Sequence, residues 1–187
     1  MKTLINNTLS DSLWELADKY ITEYKNAFGY LPVTELDEQW PSTCQVSLFE
    51  QDKIHWQPMA VKDNLSFANI EQALDIDLHQ DIQTYFSTFN SENLDATSTE
   101  GRLSLLFAWN NDDFLRLQEN IIGHILMKNK LKQKLTIFFA VTEEEDMILS
   151  IMNATGEIWL ERVGCEPHRK IADSLVDFLK RLTPIVV

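Results

Sequence analysis

A chain of 187 residues, 44% apolar and 24% charged, has the composition of an ordinary globular protein and the length of one domain that closes its core without disulfide or metal. Its net charge of −13 argues against nucleic acid and anionic lipid as partners, since both are held through Lys and Arg. The two distant cysteines, Cys44 and Cys165, offer neither a disulfide framework nor zinc-ligand spacing, and no stretch approaches the roughly 20 apolar residues of a membrane span.

The opening MKTLINNTLSDSLWELADKY lacks the apolar run of a secretory signal. With two isolated thiols, this predicts a cytoplasmic protein, in which the N-x-T triplets at Asn6 and Asn153 carry no glycan. Charge is uneven: residues 1–93 hold 5 Lys and Arg against 15 Asp and Glu, and residues 94–187 hold 11 against 14. Such an acidic half draws in basic partners, or merely keeps the protein soluble.

Leu9, Leu13, Leu16, Tyr20, Tyr24 and Phe28 recur at three- and four-residue steps and predict a helix over 7–28, stopped at Gly29. Residues 30–44 read as an irregular loop carrying Glu35, Asp37 and Glu38. A hairpin follows, 45–50 with 53–57, ended by Pro58. Short helices are expected at 66–76, capped by Ser66, and at 81–88, with Ile82, Tyr85 and Phe86 inward. A turn at 90–93 leads to strands 94–98 and 102–108, joined near Gly101.

The clearest helix spans 110–128. Asn110 is a good N-cap, Asp112 and Asp113 suit the positive end of the dipole, and Lys128, Lys130, Lys132 and Lys134 gather at the other end. At 100° per residue its apolar face takes in Phe114, Leu117, Ile121, Ile122, Ile125 and Leu126, with Gln118 among them and in need of hydrogen-bond partners. Gly123, on the polar strip, predicts a close approach of another chain segment or of a partner. Strands at 135–141, 147–152 and 157–161 with short loops imply an antiparallel meander, and a last helix is expected over 168–182. The order favours an α+β fold: one domain over 1–187, mainly an antiparallel sheet with helices packed on it.

Catalytic signatures are missing. No G-x-S-x-G, phosphate-loop or dinucleotide-binding pattern occurs, nor H-E-x-x-H. Five scattered glycines build no phosphate cradle. His55, His79, His124 and His168 form no i, i+4 metal pair, and Glu143–Asp146 reads as a solvated hairpin tip rather than a calcium loop. No enzyme activity, cofactor or metal is expected. A hydrolase using paired carboxylates leaves no local pattern and stays as an alternative.

Trp109-Asn110-Asn111-Asp112-Asp113-Phe114, then Gln118-Glu119-Asn120 and Ile122-Gly123-His124, resemble the signature helix of the Syd family of SecY-interacting proteins of gammaproteobacteria. Pro41-Ser42 with Cys44, Trp56-Gln57-Pro58, Ala73-Leu74-Asp75-Ile76, Thr142–Glu145, Asn153 with Gly156-Glu157, and 172–182 extend the likeness along nearly the whole chain in order. The resemblance implies an α+β protein that binds SecY, the channel subunit of the translocase, from the cytoplasmic side through an acidic concave surface. It implies a check on, or chelator of, abnormal or uncomplexed SecY, peripheral at the inner membrane. Toxin-immunity proteins belong to the same superfamily, which supplies the alternative of a toxin-neutralising protein. The residues expected to contribute to the binding face are Glu35, Asp37, Glu38, Asp75, Asp77, Asp112, Asp113 and Glu119.

Overall fold

Helix α1 covers Leu9–Phe28. The computed structural model describes residues 8–63 and 65–187; Asn7, expected in this helix, Asn6 of the N-x-T triplet and the first residues of the chain lie outside them. Thr8 and Asp11 close a reciprocal capping box, and Gly29 ends the helix in the left-handed conformation at φ 82°, where a side chain would be strained. Leu9, Leu13, Leu16 and Tyr20 are buried.

The expected loop after α1 contains a strand, β1 (Val33–Glu35), which pairs with β3 (Lys53–Trp56). β2 (Gln45–Glu50) lies on the other side of β3. Three residues are too short for alternation to reveal. β4 (Met59–Ala60) and β5 (Phe89–Asn90) form a second small ribbon that also went unpredicted, and β5 takes up the start of the expected turn. α2 is Ala68–Leu74, starting two residues later than expected; its N-cap is Phe67 rather than Ser66, whose hydroxyl accepts the Ala68 N–H from one residue further out. α3 is Gln80–Ser87, with Ile82, Tyr85 and Phe86 buried as predicted.

The main sheet is antiparallel and has seven strands, in the order β11-β10-β9-β8-β7-β6-β12. Its members are β6 (Leu94–Ser98), β7 (Gly101–Leu105), β8 (Thr136–Thr142), β9 (Met147–Met152), β10 (Ile158–Arg162), β11 (Arg169–Ala172) and β12 (Thr183–Pro184). The α+β class and the β8-β9-β10 meander are as expected, but β7 stops at Leu105, short of residue 108. The largest correction is the terminal helix: 169–172 pairs with β10, and only α5 (Leu175–Leu179), capped by Ser174, is helical. The helical spacing of Ile171, Leu175, Phe178 and Leu182 also fits a strand, a cap and one short helix, and pairing with β10 decides between them.

Successive side chains of a strand point to opposite faces, and β8 shows what covers each face. Phe139 meets Tyr85 of α3 and Phe178 of α5, at ring-centroid separations of 5.5 and 5.7 Å. Thr136 and Phe138 instead face His124 of α4 (Asn111–Lys130). The sheet is thus covered on both sides, and β9 is buried along its whole length.

α4 is rotated from its expected setting. Phe114, Gln118, Ile121, His124, Ile125 and Lys128 are buried, while Leu126 is 51% exposed. The rotation follows from one polar group. The Lys128 ammonium and the Glu161 carboxylate are both 0% exposed and lie 2.7 Å apart. Lys128 also donates to the Cys165 carbonyl at 2.8 Å, and Thr136 and Ser150 hydroxyls donate to the other Glu161 oxygen at 2.8 and 2.9 Å. His124 Nε2 lies 3.7 Å from that same oxygen, and burial holds its pKa below the ordinary 6.5 despite the carboxylate. Lys128, expected among the cations that gather at the helix end, is therefore a core residue. At Gly123 no other segment among the described residues makes the close approach: it is exposed, and a Cβ there would meet nothing within 4 Å.

Two stability measurements follow. Lys128→Met strands a buried carboxylate and should lower the unfolding free energy by about 3–5 kcal/mol; adding Glu161→Gln removes the stranded charge while keeping an acceptor, and should recover much of that loss in urea titrations. In dilute solution Gly123→Ala should raise stability by about 1 kcal/mol, because the helix gains propensity and nothing is crowded.

Candidate functional site

The Trp109–Phe114 motif builds a junction between α4 and the loop before β2. Asn110 Oδ1 accepts the Asp113 N–H at 2.9 Å, and Asp113 returns a carboxylate oxygen to the Trp109 N–H at 2.9 Å. The free end of the Asn110 amide donates to the Pro41 carbonyl at 2.9 Å, and the Trp109 indole donates to the Trp40 carbonyl at 3.2 Å. Ser42 donates to the Trp109 carbonyl while accepting the Cys44 N–H. The Arg116 guanidinium sits 3.9 Å over the Trp40 ring, a favourable stacking contact for a cation. The Cys44 thiol, pushed up to about 11 by burial, stays protonated and donates to the Asn90 carbonyl at 3.1 Å.

This junction encloses one side of a hollow of about 420 Å³, lined among others by Asn90, Asn110, Asn111, Lys62, Asp63 and Asp112. Asn111 donates to the Asp63 carboxylate and so ties the segment after β4 to α4. Asn90 is 7% exposed, and its Oδ1 has no hydrogen-bond partner among the described residues.

A second hollow, of about 460 Å³, opens at the C-terminal end of α2 and is lined by Ala68, Glu71, Gln72, Asp75, Ile76 and Asp77. It holds three carboxylates and no Lys or Arg. Asp75 takes the left-handed conformation at φ 51° as the C-cap of α2, its N–H bonded to the Glu71 carbonyl. This αL stop ends the helix and turns the chain toward Asp77. Glu71 accepts the Leu78 N–H at 2.9 Å and Gln83 Nε2 at 3.2 Å. Asn153 clamps the far rim, donating to the Asp77 carbonyl at 2.8 Å and accepting the His79 N–H at 2.9 Å. Gln118 of α4 finds the partners its burial requires, Ser66 carbonyl and Asn69 amide, and so holds the start of α2 against α4.

The eight expected residues separate on this frame. Asp75 and Asp77 share the second hollow, and Asp112 lines the first. Asp113 is partly buried and spends its carboxylate on capping α4. Glu35 ends β1 opposite Lys53, and Asp37 accepts the Gln39 N–H in a local turn. Glu38 is exposed on the same loop, and Glu119 is exposed on the outer side of α4. Asp63, Glu71 and Asn90 were missed. Asp63 and Asn90 reach the first hollow only through contacts across the fold, whereas Glu71 joins the second through the turn that ends α2, within residues 68–77. What the two hollows offer chemically is carboxylate and amide oxygens, acceptors suited to ammonium and guanidinium groups.

A family model described as Syd protein (SUKH-2) matches residues 10–184. A Protein Syd from Colwellia psychrerythraea is 52% identical over 190 residues, covering 97% of this chain and 95% of the relative. Proteins of the same name from Alteromonas mediterranea and Pseudoalteromonas atlantica are 42% and 38% identical, covering 90% and 98% of this chain and 94% and 98% of their own lengths.

Replacing Asn110 with Ala removes the α4 cap and the link to Pro41 together. Unfolding free energy should fall by about 1–2 kcal/mol in a urea titration.

Proposed function

Because the chain belongs to the Syd family, we propose that it is a non-enzymatic binding protein that recognises basic cytoplasmic loops of SecY through its acidic hollows and acts as a check on abnormal or uncomplexed SecY. The observation that carries this reading is the hollow of Glu71, Asp75 and Asp77, three carboxylates around one concavity with no cation in its lining. Cytoplasmic loops of membrane proteins are rich in Lys and Arg. Asp63 and Asp112 add negative charge at the first hollow, offset by Lys62. No helix of the described residues is long and apolar enough to cross a membrane, and contact with the inner membrane is through SecY.

Magnitudes set the division of labour. An exposed ion pair contributes about 0–1 kcal/mol, whereas micromolar binding needs about 8 kcal/mol. Charge therefore speeds and orients the encounter, and the shaped hollows supply contact area for the stems of the basic side chains. Screening over about 8 Å at physiological ionic strength makes the complex salt-sensitive.

The SUKH-2 label in the family description favours a second reading, an immunity protein that neutralises a toxin by binding it. Titration of purified SecY complex at low and high salt separates the two. SecY binding should weaken with salt, and Asp75→Asn, Asp77→Asn and Asp112→Asn combined should weaken it about tenfold at low salt. No retention of SecY at low salt would remove the first reading, and capture of a cognate toxin in its place would establish the second.

A further inference from the structure

The outer face of α4 carries a pattern that neither hollow uses. Glu119, Gly123, Leu126 and Lys130 follow one another at four-, three- and four-residue steps. At 100° per residue they fall on one line, opposite the buried line of Phe114, Ile121, Ile125 and Lys128. Leu126 is 51% exposed. Gly123 leaves open space where a Cβ would stand, and no packing contact among the described residues compensates this cost to the helix. Among the described residues neither Glu119 nor Lys130 takes part in an ion pair. One end of the line is thus acidic, the other basic, and the middle is a leucine beside a notch.

Such a line is complementary to itself when reversed. We propose that a second copy of this chain docks on α4 in antiparallel orientation, about a two-fold axis between residues 124 and 125. In that register Leu126 of each copy lies over Gly123 of the other, and Glu119 of each faces Lys130 of the other. The ion pairs lie about 8 Å along the helix on either side of the axis, so a small crossing angle satisfies both. The missing Cβ lets the backbones approach, as small residues do wherever helices pack closely. Charge sets the direction: a parallel arrangement would set Glu119 against Glu119 and Lys130 against Lys130. The partly buried Ile122, one turn from Leu126, widens the apolar contact. Asp75 and Asp77 lie on the turn after α2, and Asp112, two turns before Glu119 on the same line of α4, lies beyond the Glu119–Lys130 overlap; self-association thus goes beyond SecY recognition and does not depend on it.

Sedimentation equilibrium of the full chain over a wide concentration range tests the dimer. Wild type should show a reversible monomer–dimer equilibrium. Gly123→Leu has room in the monomer, so it should fold, as circular dichroism would show, yet raise the dissociation constant at least about tenfold by blocking the approach. Glu119→Lys and Lys130→Glu should each weaken association, and the two together should restore it, an outcome that mere loss of folding cannot produce. A wild type that remains monomeric at every concentration overturns the proposal. So does a dimer indifferent to Gly123→Leu, or a charge swap that fails to restore it. SecY titration of Gly123→Leu should be unchanged; loss of SecY binding by a folded variant would assign this face to SecY instead of a second copy.

Discussion

One ion pair inside the protein orients the helix on which both hollows depend. Removing a carboxylate and an ammonium from water costs several kcal/mol per ion, and the attraction between them repays this only when the remaining hydrogen bonds are made. Here Lys128 and Glu161 are almost fully served by each other, the Cys165 carbonyl and the Thr136 and Ser150 hydroxyls. The pair accordingly acts through geometry more than through net stabilisation: any other rotation of α4 on the sheet strands one or both charges. Of all settings allowed by an apolar helix face, it selects the one in which Gln118 reaches α2 and Asn110 reaches Pro41.

That setting has consequences at each end of the helix. At its start, the Asn110 cap and the Trp109 carbonyl are held by the loop before β2, so the first hollow has a rigid wall. Through Gln118, the same helix fixes the start of α2, and α2 ends at Asp75 with the second hollow. Asp112 is thus carried on α4, and Asp75 and Asp77 on the turn that ends α2, which Asn153 holds at the Asp77 carbonyl. Carboxylates held around one concavity present a more negative target to a basic segment than the same number spread apart, and the ordering cost is met when the protein folds, before it binds.

Several readings survived the passage from chain to fold for a local reason. The α1 period, the Gly29 stop, the Asn110 cap with Asp112 and Asp113 in the first turn, and the inward trio of α3 all depend on neighbours within four residues. The tight loops of the meander are equally local. The order of Syd-like motifs carried the family, because it draws on the whole length of the chain. The candidate site is legible in the sequence only in part: Asp75, Asp77 and Asp112 stand at hollows, but Asp113 is turned to capping, and nothing in the local pattern marks Asp63 or Glu71.

The amino-acid sequence by itself determined the α+β class, the positions of the long helices, the meander and the acidic character of the N-terminal half, since composition and periodicity act residue by residue. Tertiary structure alone decided that Lys128 is a core residue, that 169–172 is a strand, that α4 turns Leu126 outward, and which acids share a hollow. The settings of Lys128 and Leu126 turn on partners far along the chain, Glu161 and Cys165, which are 33 and 37 residues from Lys128; the strand at 169–172 turns on a nearer partner, β10, which an isolated helical period equally overlooks. A helix pattern reports which residues face the same way. What they face, and whether a lysine there meets water or a buried carboxylate, is set by segments that the local pattern does not contain.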